Sequence, residues 1–426
     1  MVLSRLLGIK TFGELIITLS FSFNSYLELR QLSWLYRYQP CTDLPSFPTL
    51  SDEKISQIRA YQIDKSLYRI GVLLTNFCIL LALIHFNFYS SLWNFCVLST
   101  SGEYLPVLAF TFVYSLMNAI VSLPIEWIEH FIIEQRHGFN KMTTRLFLTD
   151  EVKKTAIGIL LSLLINSIVQ FALISFKEYF VTIVTGGVIA LMLLLLVLYP
   201  TVIAPLFNKY TLLDTENARE KELLARAEGL AKKVGFPLEK VYKMDGSKRS
   251  DHSQAYFFGV FRKKQIVLYD TLIEKLEVAE IIAVLCHEIG HWNHSHHVCM
   301  IAVQCAVVLT YTALLRTCLA VDGVESQFEI KQKSEFFRLF LFIIFLEPLG
   351  ILIKAIVCFI SRKNEFQADQ FAVTQGYSNQ LVTGLVKVFA DNKATLEKDE
   401  IYSLFHDTHP DLPQRIKAIQ NSKKNQ

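Results

Sequence analysis

The sequence predicts an all-α polytopic membrane protein with about seven transmembrane helices and one polar insert carrying a small β-hairpin. Three observations lead there. Of 426 residues, 52% are hydrophobic and only 19% charged, against roughly 25% charged in an ordinary soluble domain. The apolar residues are gathered into runs of about 20, the length that crosses a bilayer. The lysines and arginines alternate between the connections, as they do when basic loops stay on one side of a membrane. The same arithmetic excludes a disordered chain and a fibrous repeat. It also argues against a plain soluble enzyme, whose apolar surface would have no lipid to face. A net charge of +3 gives no case for a nucleic-acid partner.

The candidate spans lie near residues 11–29, 70–93, 104–125, 155–176, 180–204, 297–320 and 336–360. The fourth and fifth are the clearest, and the first is the weakest because Glu14 and Asn24 interrupt it. Before the second span stand Arg30, Arg37, Lys54, Arg59 and Lys65, and between the third and fourth stand Arg136, Lys141, Arg145, Lys153 and Lys154. The connection at 94–103 has no Lys or Arg, and the next short one has Lys177 alone. This pattern puts the large loop and the C-terminus in the cytosol and the N-terminus on the far side. Seven spans agree with termini on opposite faces.

The insert, 205–278, contains RAEGLAKKVGF, an amphipathic helix ended by Gly235. QAYFFGVF and QIVLYDTL follow, rich in aromatic and β-branched residues and separated by Arg262, Lys263 and Lys264, which reads as a hairpin. The eight cysteines include no C-x-x-C pair. Cys78, Cys96, Cys286, Cys299, Cys305, Cys318 and Cys358 lie in or beside apolar runs and read as small hydrophobes rather than a disulfide framework.

The chemistry concentrates in AEIIAVLCHEIGHW, which holds His287, Glu288 and His291 in the pattern H-E-x-x-H. On a helix, positions i and i+4 share a face, so both imidazoles reach one ion. Glu288 then meets a water at that ion without being a ligand, which is the zinc-protease arrangement. A chain of this His and Glu content produces the pattern by chance only about 0.02 times. The bland alternative is a polar helix start at the membrane surface, but ionisable groups among apolar neighbours need a reason. Catalytic zinc takes three protein ligands, and the best third candidate is Glu365 in SRKNEFQADQFA. Asp369 lies four residues on, on the same helix face, where it can orient a ligand imidazole. His294, His296 and His297 read as a wet helix turn at the interface. His85 and His130 read as partnered groups within the bundle. Glu126, Glu129 and Glu347 are costly in a membrane, so either they face a wet cavity or the span boundaries differ.

Taken together the chain resembles the type I CAAX prenyl endopeptidases, integral-membrane zinc proteases of the endoplasmic reticulum and inner nuclear membrane. The resemblance rests on EQRHGFNK (134–141), IAPLFNKY (203–210), AYFFGVF with QIVLYDTL (255–272), VLCHEIGHW (284–292), EFQADQFA (365–372) and HPDLPQRIKAI (409–419), in the family's order. It implies His287, His291 and Glu365 as ligands of one zinc ion, Glu288 as base and Asp369 as support for a ligand. His409 and Arg415 match the family's active-site pair, where they would hold a carbonyl oxyanion or the substrate backbone; by their own residue types they read as surface groups on a tail helix. Ala255, Tyr256 and Phe257 match the edge strand that pairs with substrate. Gln254 stands where the family usually has Asn, which leaves its contact open.

The resemblance further implies a large water-filled chamber enclosed by the helices, and four segments. These are a five-helix membrane region (1–204), a cytosolic loop domain with the substrate strand (205–278), the metal helices with the last two spans (279–372), and a cytosolic tail completing the active site (373–426). The implied reaction removes the last three residues from farnesylated or geranylgeranylated CaaX proteins, and some members cut certain precursors a second time upstream. Membrane lipid is the other expected partner. Lys423 and Lys424 resemble a dilysine retrieval signal for the endoplasmic reticulum, or are a solvated basic tail. Two rivals remain: a membrane zinc protease of protein quality control, and a non-catalytic scaffold binding prenyl peptides. The intact set of His287, Glu288, His291 and Glu365 disfavours the second. A transporter would show paired repeat halves, and none is seen.

Overall fold

The computed structural model describes residues 8–37, 50–259 and 264–424. The basic turn with Arg262 and Lys263, and the terminal Asn425 and Gln426, lie outside them. Helix α1 (Ile9–Arg37) packs along α2 (Asp52–His85). Then come α3 (Phe88–Ser99), α4 (Leu105–Ile128), α5 (Thr144–Ser175) and α6 (Phe180–Leu198). Ser51 caps α2 by accepting a hydrogen bond from the Lys54 amide. Asn87 adopts a left-handed φ of 54°, so the apolar run expected at 70–93 is split between α2 and α3.

The polar half follows. It contains β1 (Tyr210–Leu212), α7 (Ala218–Val234), β2 (Leu238–Met244), β3 (Ala255–Phe258), β4 (Lys264–Tyr269), α8 (Asp270–Lys275) and α9 (Val278–Asn293). Asn217 caps α7 through the Arg219 and Glu220 amides, and Gly235 closes it at φ 73°. The expected hairpin is present as the antiparallel pair β3–β4, within a four-stranded sheet of order β1-β2-β4-β3. Strand β2 runs parallel to β4 and antiparallel to β1. Helix α10 (His296–Leu319) returns along the bundle, followed by α11 (Val324–Gln327), α12 (Glu335–Phe345), α13 (Glu347–Thr374), α14 (Ser378–Asp391), α15 (Glu400–His406) and α16 (Leu412–Lys424).

Among the described residues, five helical stretches are long and apolar enough to cross a membrane: those at 52–85, 105–134, 144–175, 177–206 and 296–319. The seventh expected span is α12 plus α13, bent by 54°. Pro348, in the first turn of α13, lacks an amide hydrogen and crowds the carbonyl four residues back, so one helix cannot run through. The first expected span, α1, is long enough but too polar to count among them.

Glu126 and Glu129 are settled by their partners. Helix α4 continues through a π-helical turn, Glu129–Glu134, which carries it beyond the expected boundary. Glu126 pairs with Lys154, and Glu129 lies 3.5 Å from Lys65. The His85 imidazole lies 3.1 Å from Glu14.

Among the described residues two large apolar cores result, beside a small cluster of Tyr61, Ile133 and Phe139. In the bundle, Trp93, Phe110, Phe337 and Phe340 interlock, with ring centroids 4.9 Å apart for Phe110 and Phe340. A cavity of about 360 Å³ opens between α4, α5, α6, α10 and α12. The second core joins Leu223, Ile266, Leu272, Ile281, Leu381 and Ile416. The insert, the metal-motif helix and the tail, expected as three segments, therefore share one interior. The seven cysteines among the described residues are all free.

Candidate metal centre and active site

Helix α9 begins with a capping box between Glu277 and Glu280, and Lys387 of α14 pairs with Glu280 at 2.8 Å. Its first turn is thus pinned to the tail. One turn from its end, Gly290 faces α13. A Cβ there would stand 3.0 Å from the Ala368 Cα and 3.1 Å from its carbonyl oxygen. The absent side chain lets the two backbones approach. This brings Glu365, three residues before Ala368 on α13, and Asp369, the residue after it, against His287 and His291.

The three candidate ligands converge. The Nε2 atoms of His287 and His291 are 3.2 Å apart. Glu365 Oε2 lies 3.5 Å from the His287 Nε2, and Oε1 lies 3.3 Å from the His291 Nε2. One ligand atom from each falls within 4.8 Å of the others. Glu365 is 5% exposed, with its two oxygens turned to the two rings. Two imidazole nitrogens and a buried carboxylate oxygen facing one point form a donor set that suits a divalent transition metal. The residues present fit the metal expected from the sequence. Glu288 is partly buried beside them, and burial pushes its carboxyl above the usual range against the opposing pull of His287 and His291.

The remaining expected residues fall around this point. Asp369 Oδ1 is 2.8 Å from the His287 Nδ1, on the side away from the centre. Arg415 is 4% exposed and grips Asp369 with two parallel bonds, Nε to Oδ2 at 2.8 Å and Nη2 to Oδ1 at 2.7 Å. Its Nη1 is 3.3 Å from Glu365. Burial disfavours its charge, but Asp369 and Glu365 outweigh that and hold its pKa above the ordinary value. Arg415 therefore sits behind the candidate ligands with its donors turned to carboxylates, rather than on the tail surface. His409 has the opposite exposure: its side chain is 61% exposed while Nδ1 stays 2.9 Å from Glu365 Oε2.

The tail that carries both residues is fixed at several points. Arg30 of α1 pairs with Asp399 at 2.7 Å. The Tyr402 hydroxyl donates to Glu28, and Arg362 donates to the carbonyls of Ser403 and Asp407 at 2.8 Å each.

Strand β3 is one edge of the sheet, bonded among the described residues only to β4, and it packs beside α9. Ala255, Tyr256 and Phe257 thus carry an open row of backbone groups. Gln254 is exposed, and its carbonyl accepts from the Tyr269 amide at 3.1 Å. The segment leading into β3 is clamped by the 134–141 connection. Asn140 bridges Ser250, and the Lys141 amide donates to the Arg249 carbonyl. Buried Glu134 accepts from Tyr61 at 2.7 Å and from Lys65 at 3.2 Å, and lies 3.4 Å from His252. Asn392 holds the Ser253 amide. The motif EQRHGFNK was visible in the sequence, but its partners were not.

One expectation is overturned. His296 is not part of a wet turn: it is 5% exposed, with Nδ1 2.9 Å from the His291 Nδ1 and Nε2 2.9 Å from Gln367 Oε1. Ser295 takes a left-handed φ of 54°, and this turn swings His296 back under α9. His294 and His297 do lie exposed.

Comparison with known proteins shows the family and the fold. Residues 39–209 match "CAAX prenyl protease N-terminal, five membrane helices", and residues 217–423 match peptidase family M48. The Arabidopsis thaliana protein "CAAX prenyl protease 1 homolog" is 35% identical over 416 residues, covering 94% of this chain and 95% of its own. CAAX prenyl protease 1 of Saccharomyces cerevisiae is 32% identical, covering 94% and 92%. The crystal structure of S. mikatae Ste24p superimposes with a TM-score of 0.87 at 31% identity, covering 96% of this chain and 98% of that one. The chain is a multi-pass membrane protein and belongs to the CAAX prenyl protease 1 family of M48 metallopeptidases.

Proposed function

We propose that this protein is a zinc-dependent endopeptidase that removes the last three residues from prenylated CaaX proteins. The observation that carries the reading is the convergence of His287, His291 and Glu365 beside Glu288, next to an open strand edge. The relatives named CAAX prenyl protease 1 supply the substrate class. The two imidazoles and one carboxylate would hold zinc with a position left open. When bound, zinc supplies Lewis acidity and makes a neighbouring water more acidic.

The chain's own groups do the rest. The edge of β3 (Ala255, Tyr256 and Phe257) takes the substrate as an added strand, with Gln254 exposed at its start. Glu288 accepts a proton from the attacking water and returns it to the leaving amine. His409 presents a ring N–H to the scissile carbonyl from the open side. Asp369, held by Arg415, keeps the His287 ring aimed at the centre.

The endoplasmic-reticulum membrane is the compartment we assign, with the centre on the cytosolic face. The basic 126–154 connection supports that side, because it contacts the insert directly through Lys141 and Arg249 and through Asp150 and Arg249 at 2.9 Å.

The test offers a farnesylated CaaX peptide and its unprenylated twin to purified protein, with and without a chelator. Cleavage confined to the prenylated peptide and abolished by chelation is expected. Glu288→Gln keeps the ligands and the volume; it is expected to retain the metal and to lose at least the roughly 10²–10⁴ in turnover that a general base contributes. Glu365→Ala is expected to lose the metal. Wild-type turnover by Glu288→Gln would overturn the mechanism.

A further inference from the structure

The two ligand imidazoles are oriented by different groups. His287 has the usual support, a carboxylate at its Nδ1. His291 has none. Its Nδ1 meets another ring, the buried His296, at 2.9 Å, and the far nitrogen of that ring meets the Gln367 amide oxygen at 2.9 Å. We propose that His296 and Gln367 are a pair of positioning residues that set the tautomer of His291 and so hold the metal. The inference rests on His291 being a ligand through Nε2.

The direction of the chain follows from donor and acceptor chemistry. A ligand Nε2 must offer a lone pair, so the proton of neutral His291 sits on Nδ1. That N–H must donate, so the His296 Nδ1 accepts. A neutral imidazole that accepts at one nitrogen carries its proton on the other, so the His296 Nε2 donates. Its partner must then be an acceptor, which the Gln367 amide oxygen supplies. Reversing the last link reverses every other one and puts a proton on the nitrogen that faces the metal. With its oxygen toward the ring, Gln367, two residues past Glu365 on α13, supplies the acceptor that completes the arrangement leaving the His291 Nε2 free. The same helix supplies the third ligand, the support for His287 and the tautomer control for His291.

Groups behind a ligand His typically matter by 10- to 100-fold in metal affinity. The experiment measures metal affinity by competition with a chromophoric chelator, on full-length protein in detergent, using zinc alone as probe. Peptide turnover is not the readout. His296→Ala is expected to weaken binding about 10- to 100-fold. Gln367→Met keeps the volume and removes the acceptor, and is expected to weaken binding by a smaller factor within that range. Gln367→Glu restores an acceptor and is expected to bind as tightly as wild type or tighter. Unfolding midpoints are recorded alongside, because a structural role would lower them for Met and Glu alike, whereas tautomer control separates Met from Glu in metal affinity. Equal affinities for wild type, His296→Ala and Gln367→Met overturn the proposal while leaving the site reading standing. Failure of wild type itself to bind zinc overturns the site reading with it.

Discussion

In the membrane bundle, Leu193, Leu194 and Leu196 point outward, while Thr111 accepts from Asn166 and Thr185 meets Thr312 on the inside. Around the candidate metal centre the order is inverted. Leu223, Leu272 and Ile281 are fully buried, and the groups they surround are His287, Glu365, Asp369 and Arg415, each at most 6% exposed. Those two interhelical pairs of the bundle are neutral, and charged groups of the bundle helices are matched by partners, Glu126 by Lys154 and buried Glu28 by Arg69; lipid drives no apolar surface inward. The catalytic half uses water to collapse an apolar shell. Inside that shell it can hold charges, because each is matched. A carboxylate is an effective ligand when it is dry, and it stays ionised there because Arg415 and the imidazoles offset the cost of burial.

This contrast makes graded predictions. The largest effect is expected at Arg415. Arg415→Ala leaves Asp369 and Glu365 buried without their cation, which costs about 3–5 kcal/mol, read as a lower unfolding midpoint in detergent. Adding Asp369→Asn to it is expected to recover part of the loss, since the stranded charge goes. A loss no greater than that of an exposed lysine would break the contrast at its centre.

Next comes the apolar shell. Leu223→Ala, fully buried, is expected to cost about 2–5 kcal/mol, whereas lipid-facing Leu194→Ala should stay within about 0.5 kcal/mol. Similar losses at both would mean that the bundle, too, is held by burial from water. Gly290→Ala tests the close approach of α9 and α13. The new methyl meets Ala368 backbone at 3.0 Å, and overpacking of this kind costs about 1–3 kcal/mol. Zinc affinity is expected to fall with stability there, because the ligands sit on the two helices being pushed apart. The smallest effect is expected at Asn166→Leu, which removes one interhelical bond worth about 0.6 kcal/mol. A loss of several kcal/mol would show that the bundle depends on buried polar pairs as the catalytic half does.

The sequence by itself determined the membrane class, most of the helices, the hairpin and the ligand candidates. Each of these is local. A span is one apolar run, and H-E-x-x-H places its imidazoles on one face within five residues. The bend after Leu346 was also local, written in Pro348, but the apolar run around it masked the break. Tertiary structure alone decided the rest. His296 and Gln367 are 71 positions apart, and Arg415 reaches His287 across 128. No periodicity relates such pairs, so His296 reads as solvated and Arg415 as a surface group until α9, α13 and α16 are packed together. That packing turns on Gly290 against Ala368, where a missing methyl group sets the spacing of the helices and with it the distance between the candidate ligands.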